Sequence, residues 1–154
     1  MTVSLNKKVS AFSSPATGGK NWKLADAAGK KLVLYFYPKD NTTGCTLEGQ
    51  AFRDLHAAFK KAGTIVLGVS PDSVASHEKF KDKMEFPFDL LSDEDKKVCE
   101  LFAVWKEKSM YGRKYMGDER STFLIDGSGV LRQEWRKVKV PGHADAVLEA
   151  AKAL

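Results

Sequence analysis

Two short hydrophobic runs constrain this chain most. Leu32 to Tyr37 reads LVLYFY, and Ile65 to Val69 reads IVLGV. Neither alternates apolar with polar residues. Such runs are strands covered on both faces, so they belong in the middle of a sheet. Between them Leu47, Ala51, Leu55, Ala58, Phe59 and Ala62 recur every three or four positions. That period predicts an amphipathic helix from Cys45 to about Lys61, stopped by Gly63. Covered strands joined by a helix require a right-handed crossover and a parallel core.

The rest of the chain extends this pattern. Ala11 to Gly19 (AFSSPATGG) reads as a loop, and residues 22–26 as a short strand. Asp72 or Ser73 caps a helix to about Met84, with Val74, His77, Phe80 and Met84 on one side. Pro87 bars its continuation, and FDLL makes a short strand. Asp93 opens a helix through Trp105, with Val98, Leu101, Phe102 and Trp105 inward. Residues 106–120 show no period. Thr122 to Ile125, the turn DGSG and Val130 to Arg136 read as a hairpin. Ala144 to Ala153 reads as a final amphipathic helix. The expected fold class is α/β: one three-layer domain over residues 1–154 with a mixed central sheet.

Composition excludes several classes. Hydrophobic residues make up 43% of 154, including 9 Phe, 4 Tyr and 3 Trp, which supports a core and argues against disorder. The net charge of +5 is spread along the chain. It favours solubility and small anions over nucleic acid. The basic run Arg136 to Val140 reads as a solvated edge, because no aromatic residues interleave with it. Two cysteines make no disulfide scaffold, so an intracellular setting is expected. No apolar run approaches a membrane span, and MTVSLNKKVS lacks the apolar stretch of a leader. The expected address is the cytoplasm.

The chemistry concentrates at Pro38-Lys39-Asp40-Asn41-Thr42-Thr43-Gly44-Cys45. A buried strand ends, a short loop follows, and a helix begins. With Thr42 as N-cap, Cys45 occupies the third helical position, where backbone N–H groups lack partners. The positive end of the helix dipole favours thiolate over thiol there. The plainer role, a small buried apolar cysteine, weighs less at a strand–loop–helix junction. Dithiol exchange needs a cysteine three places on, where Glu48 stands. A phosphate cradle needs an arginine close behind, and the first is Arg53. A hydrolase needs a histidine base, and His56, His77 and His143 have no recognisable context. Cysteines and histidines are too scattered for zinc, so no metal is expected. Peroxide reduction fits better. It needs an ionised sulfur, a cation, a hydroxyl and free backbone N–H groups.

The string YPKDNTTGCTLEG resembles the active-site signature of peroxiredoxins, with Pro, three residues, Thr, two residues and Cys. Together with LGVSPDS, FPFDLLSDEDKKVCELFAVW and ERSTFLIDGSG, it is similar to the bacterioferritin-comigratory-protein group, also called peroxiredoxin Q. The similarity runs from about residue 20 to the C-terminus. It implies a thioredoxin-like fold and a thiol-dependent peroxidase for hydrogen peroxide and small organic hydroperoxides. It implies Cys45 as the peroxidatic cysteine, Thr42 as the hydroxyl that contacts peroxide, Pro38 as the shield of the sulfur, and Arg120 as the cation on sulfur and peroxide. Glu48 also matches a family position, where it could orient arginines or favour the helix start. No cofactor is implied, because the sulfur itself changes oxidation state.

The sequence departs from the family at the second thiol. The two familiar resolving positions hold Gln50 and Lys81. The remaining Cys99 sits in a KVCELF context that looks structural. The expected cycle therefore uses one cysteine, recycled by thioredoxin, glutaredoxin or a small thiol, in a monomer. The alternative is a peroxide sensor that relays oxidation from Cys45 to a partner. Thr43 replaces a frequent proline and should loosen the loop slightly. Lys106 to Gly117, with Met110, Tyr111, Tyr115 and Met116, could line a pocket wall or lie in core.

Overall fold

The computed structural model describes residues 2–154. Strand β1 (Ser13–Ala16) pairs antiparallel with β2 (Lys20–Lys23), and a 3-10 turn over Leu24–Ala27 follows. Next come β3 (Lys31–Phe36), α1 (Thr43–Asp54), α2 (His56–Lys61), β4 (Thr64–Ser70), α3 (Val74–Met84), β5 (Leu90–Ser92) and α4 (Lys97–Leu101). The chain closes with β6 (Trp105–Met110), β7 (Arg113–Asp118), β8 (Ser121–Ile125), β9 (Leu131–Trp135) and α5 (His143–Ala153). One sheet runs in the order β2-β1-β5-β4-β3-β8-β9; β6 and β7 form a separate ribbon. Strand β3 pairs parallel with β4 and antiparallel with β8. The expected mixed sheet is therefore present, with LVLYFY and IVLGV at its centre.

Alternation along β3 divides the core into two layers. Leu32, Leu34 and Phe36 pack with Cys99, Phe102 and Phe123. Val33, Tyr35 and Tyr37 pack on the other face with Cys45, Phe52, Phe59 and Val147. Side chains on a strand point alternately to opposite faces, so the two cysteines lie on opposite sides of the sheet.

Five segments differ from expectation. The strand expected over residues 22–26 lies earlier, as β2, and Leu24–Ala27 forms the 3-10 turn. The helix after Cys45 breaks at Leu55, into α1 and α2. The loop Ala11 to Gly19 contains β1; Pro15 is tolerated because β1 meets β5 only at Ala16, opposite Leu91. The helix expected through Trp105 ends at Leu101. Ala103 turns left-handed, and its neighbour Val104 donates N–H to the Cys99 carbonyl, a helix-closing geometry. Residues 106–117 lie in the β6–β7 ribbon, turned by Tyr111 and Gly112, both at positive φ. Met110, Tyr111, Tyr115 and Met116 are exposed, so this segment is not core.

Candidate active site

The end of β3 and the start of α1 set the site. Thr42 is the N-cap of α1, which makes Thr43, Gly44 and Cys45 its first three helical residues. The expected capping bond is absent. Thr42 Oγ1 instead donates to the Lys39 carbonyl at 2.9 Å, and no side chain caps the helix. Two consequences follow for the chemistry. The first-turn N–H groups keep their positive field for a ligand. The Thr42 hydroxyl has spent its proton, so toward a ligand it is an acceptor.

Cys45 is 1% exposed, and Arg120 points at it: Nη2 stands 3.4 Å from Sγ. Arg120 lies between β7 and β8, so an antiparallel neighbour of β3 delivers the guanidinium to the end of that strand. Its other nitrogen, Nη1, donates to Glu48 Oε1 at 2.6 Å. Glu48 and Cys45 sit three positions apart on α1, so one guanidinium bridges two groups on one helix face. Gly44 makes room for it: a Cβ there would lie 3.1 Å from Nη2.

Electrostatics are set by burial. Burial pushes Glu48 up to about 7, although Arg120 pulls it down, and Oε2 has no partner. Burial disfavours charge on Arg120, but Glu48 and Cys45 outweigh it and hold its proton more tightly. Burial lifts Asp118, two residues before Arg120, to about 8, and both its carboxyl oxygens lack partners. Burial also pushes the Cys99 thiol well above its ordinary range, with Asp93 adding to the effect, so Cys99 is held as thiol.

Of the residues singled out from sequence, the structure joins Cys45 and Arg120 directly. It places Thr42 one turn before the sulfur, exposed, and Pro38 half-buried just after β3. None of the three histidines hydrogen-bonds to Cys45. His77 contacts Asp40 at 2.7 Å and the Leu91 carbonyl at 2.9 Å, and His143 contacts Thr122 at 2.7 Å. Asp40, Asp72 and His77 cluster closely enough to ligate a metal, but hydrogen bonds already occupy their facing atoms. Sequence reasoning missed Gly44 and Gly68. A Cβ on Gly68 would lie 2.8 Å from the Tyr35 ring, which stacks on Phe52 beneath α1 at 4.6 Å. A glycine inside a strand of large apolar residues was the available signal.

A family model described as the AhpC/TSA family matches residues 5–134. Peroxiredoxin Bcp of Xanthomonas campestris is 56% identical over 137 residues, 89% of this chain and 86% of that protein. Peroxiredoxin Bcp of Bacillus subtilis is 49% identical over 152 residues, 99% of this chain and 97% of that protein. A solved structure of Xanthomonas campestris peroxiredoxin Q superposes with a TM-score of 0.88 at 54% identity, covering 92% of this chain and 90% of that one. A cysteine-to-serine variant of Xylella fastidiosa PrxQ superposes with a TM-score of 0.94 at 43% identity, covering 99% and 98%. A further Xanthomonas campestris structure, of the bacterioferritin comigratory protein, concerns alkyl peroxide reduction.

Proposed function

This chain belongs to the AhpC/TSA family as a thiol-dependent peroxidase of the Bcp/PrxQ type, and from that premise we propose that Cys45 is its peroxidatic sulfur in a one-cysteine cycle. The observation that carries the proposal is the guanidinium of Arg120, 3.4 Å from Sγ at the first turn of α1. Guanidinium and helix N-terminus both stabilise negative charge on sulfur. The thiolate attacks the terminal oxygen of a hydroperoxide. An S–O bond forms and the O–O bond breaks. The attacked oxygen keeps its proton as sulfenic acid, and the departing alkoxide takes a proton from water. Sulfur loses two electrons and the peroxide gains them. Arg120 and the free first-turn N–H groups stabilise the departing oxygen's charge. Thr42, as an acceptor, orients the peroxide O–H, and Pro38 walls the sulfur from water. Substrates are hydrogen peroxide and small organic hydroperoxides.

Recycling then falls to an outside thiol, from thioredoxin, glutaredoxin or a small molecule. One thiol displaces water from the sulfenic acid to give a mixed disulfide, and a second releases Cys45. What supports this is the placement of Cys99, fully buried across the sheet from Cys45 and held as thiol. The cytoplasm and a monomer are the setting proposed; among the described residues no helix is long and apolar enough to cross a membrane.

The test is peroxide consumption with dithiothreitol or a thioredoxin system. Native protein and Cys99→Ser should turn over many equivalents, and Cys45→Ser none. Loss of turnover in Cys99→Ser would overturn the one-cysteine cycle. A single stoichiometric oxidation would favour the sensor.

A further inference from the structure

The loop that carries Thr42 is tied down by a buried network that the peroxidase chemistry above does not use. Asp40, in the middle of that loop, is 5% exposed. Its Oδ1 accepts from Tyr37 Oη at 2.6 Å. Its Oδ2 accepts from Ser76 Oγ at 2.7 Å and faces His77 Nδ1 at 2.7 Å. Its backbone N–H donates to Asp72 Oδ2 at 2.9 Å, and Ser70 Oγ donates to the same oxygen at 2.6 Å. The other ring nitrogen of the fully buried His77 faces the Leu91 carbonyl at 2.9 Å. One loop residue is thus fastened to Tyr37 just after β3, to α3 and, through His77, to β5.

The proton count fixes the polarity. Three donors converge on the Asp40 carboxylate, and hydrogen bonds from His77 and its neighbours hold its pKa low despite burial. With Asp40 as acceptor, Nδ1 of His77 is placed to donate to it, while Nε2 faces the Leu91 carbonyl. Asp40 and His77 form a fully enclosed hydrogen-bonded pair under the loop.

We infer that Asp40 and His77 are positioning residues of the peroxidase site, setting the height at which Thr42 meets the peroxide. The coupling is short. Asp40 lies between Lys39, whose carbonyl takes the Thr42 proton, and Asn41, which sits left-handed at φ 62°. Holding Asp40 therefore holds both ends of the turn that aims the Thr42 hydroxyl. It does not touch Arg120 or the sulfur. This inference rests on the proposed peroxidase reading and adds a prediction of its own: loss of the anchor slows attack on peroxide while leaving the sulfur's general reactivity intact.

The experiment uses the full chain in a Cys99→Ser background and compares two single-turnover rates, oxidation by hydrogen peroxide and alkylation by iodoacetamide. Asp40→Ala and His77→Ala should each lose about ten- to a hundredfold in peroxide rate, the scale set by ångström misplacement of a reacting group. Alkylation should change by less than about threefold, because Arg120 and α1 still hold the sulfur. Asp40→Asn keeps the shape and can still hydrogen-bond His77, and it should recover most of the lost peroxide rate. Should either alanine variant fail to fold, Ser76→Ala removes one donor at a half-buried position and should lower the peroxide rate about threefold with alkylation unchanged. Equal peroxide rates in native protein and folded variants, or parallel loss of both rates, would overturn the inference. A native protein that alkylates but does not react with peroxide would instead overturn the peroxidase reading.

Discussion

At the scale of single residues, the site is one guanidinium shared between a sulfur and a carboxylate. Arg120→Ala removes the cation from Cys45 and strands Glu48, which is almost wholly buried. The rate of Cys45 oxidation by peroxide should fall about 10²–10³-fold, the usual loss for one preorganised donor. Stopped-flow oxidation at fixed pH checks this, and a rate within threefold of native would refute it. Asp118 gives a separate expectation. Its carboxyl is lifted to about 8 by burial, whereas an unfolded aspartate titrates near about 3.9. Between those values the folded state keeps a proton that the unfolded chain has released, so this group's contribution to stability is lost as pH rises and is gone above about 8. Glu48 acts with the same sign up to about 7. Asp118→Asn cannot titrate, so its unfolding free energy in urea should gain on the native one between pH 5 and 8.5, by up to a few kcal/mol. A constant difference across that range would contradict the assignment. Cys45 was legible from the strand–loop–helix junction alone. Arg120 was legible only through the family resemblance, because an arginine before a strand carries no period. His77 gave no signal, since its acceptors come from a distant loop and strand.

Among elements, the sequence was read best where burial was two-sided. Strands β3 and β4 carry the unbroken runs LVLYF and IVLGV, with no polar residue to mark an exposed face. The β6–β7 ribbon escaped because it stands outside the main sheet with most of both faces in water, so no hydrophobic alternation was written into it. Strand β1 escaped because it is four residues long and holds a proline. The break at Leu55 left no glycine or proline to mark it. The ribbon supports a prediction of its own. Tyr111 at its tip is 99% exposed, and the turn is bounded by Met110 and Arg113. Limited proteolysis should cut first between 110 and 114, while the seven-stranded sheet stays intact. Chymotrypsin or trypsin digestion followed by mass mapping tests this. A first cut inside α1 or α3 would show that those helices open more readily than the ribbon.

For the whole molecule, the sheet separates the two cysteines on which the proposed one-cysteine cycle turns. Cys45 and Cys99 pack against alternate residues of β3, with the central strand between them. A disulfide needs Cα atoms within about 7 Å and Cβ vectors that meet, which opposite faces of a sheet do not provide. Cys99→Ser should therefore leave peroxidase turnover within twofold of native and the melting temperature little changed. The mixed sheet and its layers were legible in outline, because buried strands separated by helices admit few arrangements. The separation of the two cysteines was not, since it depends on which face each helix covers. The most direct test of the central claim is mass spectrometry of the native protein after one equivalent of hydrogen peroxide, with the new acid trapped by dimedone. The adduct should form on Cys45 alone, with Cys99 still a free thiol. An internal Cys45–Cys99 disulfide, or an adduct on Cys99 with Cys45 unmodified, would contradict it.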